Sequence, residues 1–256
     1  MFPYIKLGPL TLGSYGVLIV IGFALGVFVA VMRRKLYGLE TEDILYAMLF
    51  AGIGIGVGGK LLFLLTALPD LIQNAGEIFS SPEQLMGYLV GGFVFYGGLF
   101  GGLLGAFLYT RRYGISFAKF CNTAIVSVPL IHAFGRLGCF CAGCCYGVPA
   151  DPPLGLYFNN SPVAPHGVAL FPVQLLEAGL NLLLFFVLAL VFRKRRRLSP
   201  VPVYLISYAV IRFVLEYFRY DAVRGIFFGL STSQWISVAL ALGTGLFLFV
   251  RRRKMA

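Results

Sequence analysis

The sequence predicts an all-α membrane protein: a polytopic bundle of seven transmembrane helices, N-terminus outside and C-terminus cytoplasmic, forming one domain over residues 1–256. Three observations predict it. Charged residues make up 12% of the chain and hydrophobic ones 59%, where a soluble domain carries about 25% charged residues. Apolar stretches recur along the chain at about 20 residues each, the length a helix needs to cross a bilayer. The basic residues, finally, gather on one side of those stretches.

In order, the spans are read as 14–32, 44–68, 88–109, 118–134, 172–192, 203–218 and 233–250. The first has no small-residue cleavage site behind a short apolar region, so it reads as a retained helix and not as a removed signal. The second holds a glycine-dense run from Gly52 to Lys60, and the third is filled by another from Gly91 to Gly105. Glycines four apart, Gly97 with Gly101 and Gly101 with Gly105, let two membrane helices approach closely. A bent backbone or room for a lipid is the other use of such runs. They are not a dinucleotide fingerprint, which needs a preceding strand and a soluble sheet.

The fourth span ends on Gly135-Arg136, the fifth opens at Pro172, and the sixth is interrupted by Arg212 and Glu216. The seventh runs into a terminal basic cluster. Two regions of some size lie outside the spans, 69–87 and the proline-rich 138–171. Neither is large enough for a soluble catalytic domain, so an active site is expected on the helices and their outer ends. No internal repeat is evident.

The net charge is +11, but its distribution excludes nucleic acid. Arg33, Arg34 and Lys35, then Arg111, Arg112 and Lys119, the run 193–197 and the run 251–254 account for fifteen of the 21 basic residues, all on one side. That is a cytoplasmic basic collar, and contact with anionic lipid follows from it. Six basic residues remain. Lys6 is a solvated residue of the outer N-terminal stretch. Lys60, Arg136, Arg212, Arg219 and Arg224 lie within spans or at their outer ends. Two readings apply to such cations: ion pairs with buried acids, as Glu216 offers Arg212 one helical turn away, or snorkelling to the headgroups. The other is a phosphate site, which arginine binds bidentately, built from several helices.

Cys139, Cys141, Cys144 and Cys145 follow Arg136 within nine residues. They read as small packing residues with room for one disulfide, or as a catalytic thiol, Cys139 or Cys144, activated by Arg136. A metal is not expected, because the Cys-x-Cys-x-x-Cys-Cys spacing crowds the ligands and no second Cys/His cluster exists. Cys121 reads as packing. His132, one turn before Arg136, is either a satisfied core residue or a base, and His166 carries little information.

Over nearly its full length the chain resembles the prolipoprotein diacylglyceryl transferase family. The residues that carry the resemblance are Tyr15-Gly16, Gly58-Gly59-Lys60, Tyr96-Gly97-Gly98-Leu99 and Gly135-Arg136-Leu137-Gly138 with Gly147. They continue through Pro172, Gln174, Glu177, Arg212-Phe213, Glu216-Tyr217-Phe218-Arg219, Asp221, Gly229-Leu230-Ser231 and Gln234. The resemblance implies seven spans with the N-terminus outside, in agreement with the charge pattern. It also implies transfer of a diacylglyceryl group from phosphatidylglycerol to a lipobox cysteine thiol, with glycerol phosphate released and no cofactor. The partners it implies are phosphatidylglycerol, a membrane-anchored preprotein and the bilayer of a bacterial inner membrane; a single compact bundle is expected to be a monomer.

Carried over residue by residue, Arg136 and Arg212 match the family's two essential arginines. Glu216 is expected to orient Arg212, and the catalytic set is completed by Tyr96, Cys139 and Cys144. Tyr15, Lys60, Gly97, Gly98, Gly147, Gln174, Glu177 and Arg219 are expected to bind substrate. Three positions depart from the family: Tyr96 replaces a His proposed as base, Cys139 an Asn and Cys144 a Glu. A phenol with an ordinary pKa near ~10 is a poor base at neutral pH and a better donor to phosphate. The other readings are a divergent transferase with another acceptor or a cysteine-bound lipid intermediate, a lipid-binding or transport protein, and a thiol-redox membrane protein.

Overall fold

The structure, a computed structural model, describes residues 2–194, 198–220 and 225–253. Asp221, Arg224 and parts of the basic runs 193–197 and 251–254 lie outside the described residues. The chain forms two units: Tyr37–Cys121, and Met1–Leu36 together with Asn122–Ala256.

Among the described residues, six helical segments are long and apolar enough to cross a membrane, and a bent pair makes a seventh. This is the polytopic, helical membrane architecture the composition predicts. Strands are confined to three small hairpins: β1 (Tyr4–Leu7) with β2 (Leu10–Gly13), β3 (Leu156–Tyr157) with β4 (Ala169–Leu170), and β5 (Ile226–Phe227) with β6 (Leu230–Ser231).

In the Tyr37–Cys121 unit, α2 (Thr41–Gln73) starts with a reciprocal cap: the Glu40 side chain accepts from the backbone of Asp43, and Asp43 accepts from Glu40 N at 2.9 Å. Glu42 and Asp43 also complement the positive end of the helix dipole. α2 packs on α5 (Phe95–Arg112) through glycine on both sides. A Cβ at Gly101 would lie 2.1 Å from the carbonyl oxygen of Gly54, and one at Gly97 2.3 Å from that of Gly58. No side chain fits there, so the glycines four apart serve close packing.

The third predicted span, 88–109, is instead a broken pair. α3 (Ala75–Ser80) leads to α4 (Pro82–Val90), and α4 meets α5 at a bend of 53°. Gly92 turns the chain there at φ +75°, a conformation open to glycine. The break exposes carbonyls that α4 cannot satisfy itself. The Lys60 ammonium takes up two of them, Tyr88 O and Gly91 O, each at 2.5 Å, while Val94 N donates to Gly59 O at 3.1 Å. Region 69–87 is mostly helix, because α2 continues through Pro69 to Gln73 and α3 and α4 follow.

In the other unit, α1 (Ser14–Arg33) lies against α7 (Val128–Ala142), α7 against α8 (Val173–Val191), α8 against α9 (Pro200–Leu215), and α9 against α10 (Thr232–Arg253). Gly22 and Gly26 seat α1 on α7: a Cβ at either would fall 2.5 Å from Phe134 or Ile131. Val126, Leu184, Leu188, Phe192 and Tyr204 form the buried core between α8 and α9.

The helical stretch at the fourth span runs Phe117–Ala142, through α6 (Phe117–Ala124), a short 3-10 turn and α7. The helix thus continues two turns past the span end read from the sequence. Arg136 sits in the interior of α7, where a buried acid lets the helix continue past it. The sixth span likewise survives Arg212, whose charge is matched within one turn.

Gly101→Val is expected to force α2 and α5 apart at a cost of about 1–3 kcal/mol. Gly56→Ala meets nothing within 4 Å and is expected to be neutral or stabilising by up to about 1 kcal/mol. Thermal unfolding of both variants in detergent checks the contrast.

Candidate active site

Glu177 lies in the second turn of α8 and has no exposed surface. His132 and Arg136 are one turn apart on α7, hence on one face, and both reach it. Arg136 Nε lies 3.0 Å from Glu177 Oε2, and His132 Nε2 lies 3.3 Å from Oε1. Arg219 Nη1 approaches Oε2 at 3.6 Å. One buried carboxylate thus anchors groups from α7 and from the turn after α9. Breaking such a pair by removing one partner is strongly destabilising.

The position of Arg219 follows from backbone geometry. Gly147 N donates to Phe171 O at 2.9 Å, and Val148 N donates to Phe218 O at 3.0 Å. The segment at Gly147 therefore threads between two others, with Gly147 bridged to Arg219. A Cβ at Gly147 would sit 2.5 Å from Phe218 O and 2.6 Å from Phe171 O. Glycine is required there by space.

A second ion pair closes locally. Arg212 Nη2 meets Glu216 Oε2 at 2.6 Å and donates to Ser233 Oγ at 2.9 Å. Its other terminal nitrogen, Nη1, is buried and makes no hydrogen bond among the described residues. Arg136 uses Nε toward Glu177, which leaves both Nη groups of its fork for another acceptor. Tyr208 on α9 packs on His132 and lies within electrostatic reach of Glu177, Arg136, Arg212 and Arg219. Among the described residues the cluster sets three guanidinium groups against two carboxylates.

The thiols lie at the end of α7. Gly143, at φ +71°, closes the helix in a Schellman turn, with Gly143 N donating to Phe140 O at 3.2 Å and Cys144 N to Cys139 O at 3.0 Å. The turn stacks Cys144 over Cys139. Cys145 then takes φ +57°, rare for a residue with a side chain. The result is convergence: the Sγ atoms of Cys139, Cys144 and Cys145 lie within 4.8 Å of one another. All five cysteines are free thiols. Where the sequence spacing reads as too crowded for a shared ligand, the turn separates Cys141 from the other three.

Three contacts hold this loop. Gln174 Nε2 donates to Cys144 O at 2.9 Å, and the Ser161 hydroxyl donates to Gly143 O at 3.0 Å. Phe158, Ala164 and Leu170 form a small buried core beneath it, against Phe140 and Tyr146. Tyr15 packs over Gly138, where a Cβ would lie 3.0 Å from its ring, and is within electrostatic reach of the three thiols and Arg136. Hydrogen bonds from the Cys139 and Cys144 thiols, with the Arg136 and Arg219 guanidinium groups beside them, hold the Cys145 thiol well below the ordinary thiol range against the effect of burial. The most acidic thiol outside the spans is thus not one of the two the sequence favours.

A family model described as prolipoprotein diacylglyceryl transferase matches residues 3–250. The chain belongs to the prolipoprotein diacylglyceryl transferase family. Among its relatives, a phosphatidylglycerol–prolipoprotein diacylglyceryl transferase of Clostridium tetani is 37% identical, over 92% of this chain and 91% of its own. One from Idiomarina loihiensis is 32% identical over 96% and 91%. A second form from Clostridium perfringens is 30% identical over 92% and 89%. The chain is a transferase of this family.

Of the residues the family resemblance points to, one unit gathers Tyr15, Arg136, Cys139, Cys144, Gly147, Gln174, Glu177, Arg212, Glu216 and Arg219. Tyr96, Lys60, Gly97 and Gly98 belong to the Tyr37–Cys121 unit. There Lys60 caps the broken helix, Gly97 packs on α2 and Gly98 accommodates the Phe93 ring. Tyr96 stands partly exposed at the start of α5. Sequence reasoning misses the link of His132 and Arg219 to Glu177, and the contact of Ser233 with Arg212. Only the four-residue spacing of His132 and Arg136 signals the first.

Glu177→Ala leaves Arg136 and Arg219 without their shared acid, and is expected to destabilise the protein by about 3–5 kcal/mol. Thermal unfolding in detergent beside Glu42→Ala, an acid of the first turn of α2 outside this cluster, checks it.

Proposed function

We infer that the protein transfers the diacylglyceryl group of phosphatidylglycerol to the thiol of a lipobox cysteine in a membrane-anchored preprotein. The reaction takes place at the outer leaflet of a bacterial cytoplasmic membrane, with the N-terminus of the chain on that side, and a single chain suffices. The observation that supports this reading best is the way the Arg136 and Arg212 guanidinium groups are held. Each arginine is held by an acid through part of its fork and keeps terminal N–H groups for another anion. A lipid phosphodiester fits a planar, bidentate donor.

The chemistry is displacement at carbon. The acceptor sulfur, as thiolate, forms a bond to the glyceryl CH2 that carries the phosphate. The C–O bond breaks, and its electron pair leaves on glycerol phosphate, which goes from one negative charge to two. Arg136 and Arg212 act on that developing charge. Two unit charges about 4 Å apart attract by about 4 kcal/mol at an effective dielectric of about 20, against about 1 kcal/mol in bulk water. An interaction of that size, stronger in the transition state than in the ground state, raises the rate of the chemical step. Glu177 and Glu216 fix where the guanidinium groups face and touch no reacting atom in this scheme.

With labelled phosphatidylglycerol and a lipobox peptide, the parent chain is expected to label the cysteine. Arg136→Ala and Arg212→Ala are expected to lose about 10²–10³-fold in kcat, and lysine at either position is expected to restore only part, since it lacks the fork. A parent chain that labels no peptide, or unchanged rates in both variants, contradicts the reading.

A further inference from the structure

We propose that Cys139, Cys144 and Cys145 form a three-thiolate site for a soft divalent cation of the zinc class, with a fourth position open to the acceptor thiol. The fourth-position part rests on the transferase reading above. The metal site itself stands on this chain's own geometry.

The three Sγ atoms lie within 4.8 Å of one another. Around a zinc ion at about 2.3 Å from each sulfur, tetrahedral geometry sets them about 3.8 Å apart. Side-chain rotation covers the difference. Cys145 holds φ +57°, uncommon for a residue with a side chain, at the point where its sulfur joins the other two. Supporting contacts orient the site as metal ligands are usually oriented: Gln174 fixes the Cys144 carbonyl, and the Schellman turn ties Cys144 to Cys139.

Charge favours the same occupant. Three thiolates and a divalent cation sum to one negative charge, and Arg136 and Arg219 lie within electrostatic reach of Cys145. The ligand set is all sulfur, which selects zinc or copper(I) over magnesium or calcium. Three protein ligands with a vacant fourth position is the arrangement of catalytic zinc, whereas structural sites are closed by four.

The site meets the remaining need of the displacement. A thiol that binds a zinc-class cation gives up its proton. In the proposed step the acceptor R–SH coordinates the metal and releases its proton to solvent. The metal-bound sulfur then forms the bond to the glyceryl carbon as the carbon–oxygen bond breaks, and the thioether product dissociates. No electron changes hands.

The test uses the full chain, purified in detergent under reducing conditions and loaded with Zn²⁺ or Co²⁺. One metal per chain is expected by elemental analysis, with a thiolate-to-cobalt charge-transfer band in the cobalt form. Zn²⁺ is expected to shield three of the five cysteines from maleimide in the unmutated chain, a readout that needs no variant. Cys139→Ser and Cys145→Ser are expected to weaken binding at least tenfold, and Cys121→Ser and Cys141→Ser to leave it unchanged.

A metal-free chain with five titratable thiols, a disulfide within the trio, or full binding in Cys145→Ser overturns the site. A lipobox peptide is expected to shift the cobalt spectrum, and its Cys→Ser form not to; equal spectra overturn the role of the fourth position. Transfer that survives complete removal of metal by a chelator also overturns that role, and leaves the transferase reading intact. A chain that binds metal through the trio and transfers nothing upholds the metal site and contradicts the transferase reading alone.

Discussion

The buried carboxylate of Glu177 sets the geometry of the charged interior. It has no exposed surface, and one oxygen faces His132 while the other faces Arg136 and Arg219. In a bilayer, an arginine in the interior of a helix is tolerated only with a compensating partner. Glu177 supplies that partner for Arg136 and draws in the turn after α9 by the same contact. Because it engages Arg136 through Nε, it also decides which way the guanidinium fork opens.

The consequence is an interior whose arginines are paired and oriented. Arg212 and Glu216 balance one another within a single helical turn, and Arg136 and Arg219 share one acid. Arg136 and Arg212 keep terminal N–H groups that these acids do not take up. A phosphodiester accepts from such donors, which is why the cluster is proposed as a receptor for a lipid headgroup. The backbone around it is arranged to the same end. Gly147 admits two neighbouring backbone segments at contact distance, and their crossing sets Arg219 beside Glu177.

The parts of this arrangement visible in the sequence are those with short-range signatures. Apolar length marks the spans, and the basic collar marks their order. The spacing of Arg212 and Glu216 marks their pair, and the glycines four apart mark the contact of α2 with α5. What the sequence does not carry depends on residues far apart in it. Glu177 is 41 positions from Arg136, and no periodicity joins them. The break between α4 and α5 hides inside a run of glycines that fits a straight helix equally well. The end of α7 is misplaced because Gly135-Arg136 reads as a boundary until the buried acid that compensates it is known. The thiols show a related gap: the sequence singles out Cys139 and Cys144, and only the left-handed residues Gly143 and Cys145 bring Cys145 to them and leave Cys141 out.

The most direct measurement is solid-state NMR on the chain reconstituted in phosphatidylglycerol bilayers, with 15N-labelled arginine and the natural 31P of the lipid. Dipolar dephasing between guanidinium nitrogens and lipid phosphorus reports contact without relying on turnover. The account predicts dephasing that shows a lipid phosphate at hydrogen-bond distance from guanidinium nitrogens, most of it lost in the Arg136→Gln, Arg212→Gln double variant. Arginines dephased no more in the parent chain than in that variant would contradict it.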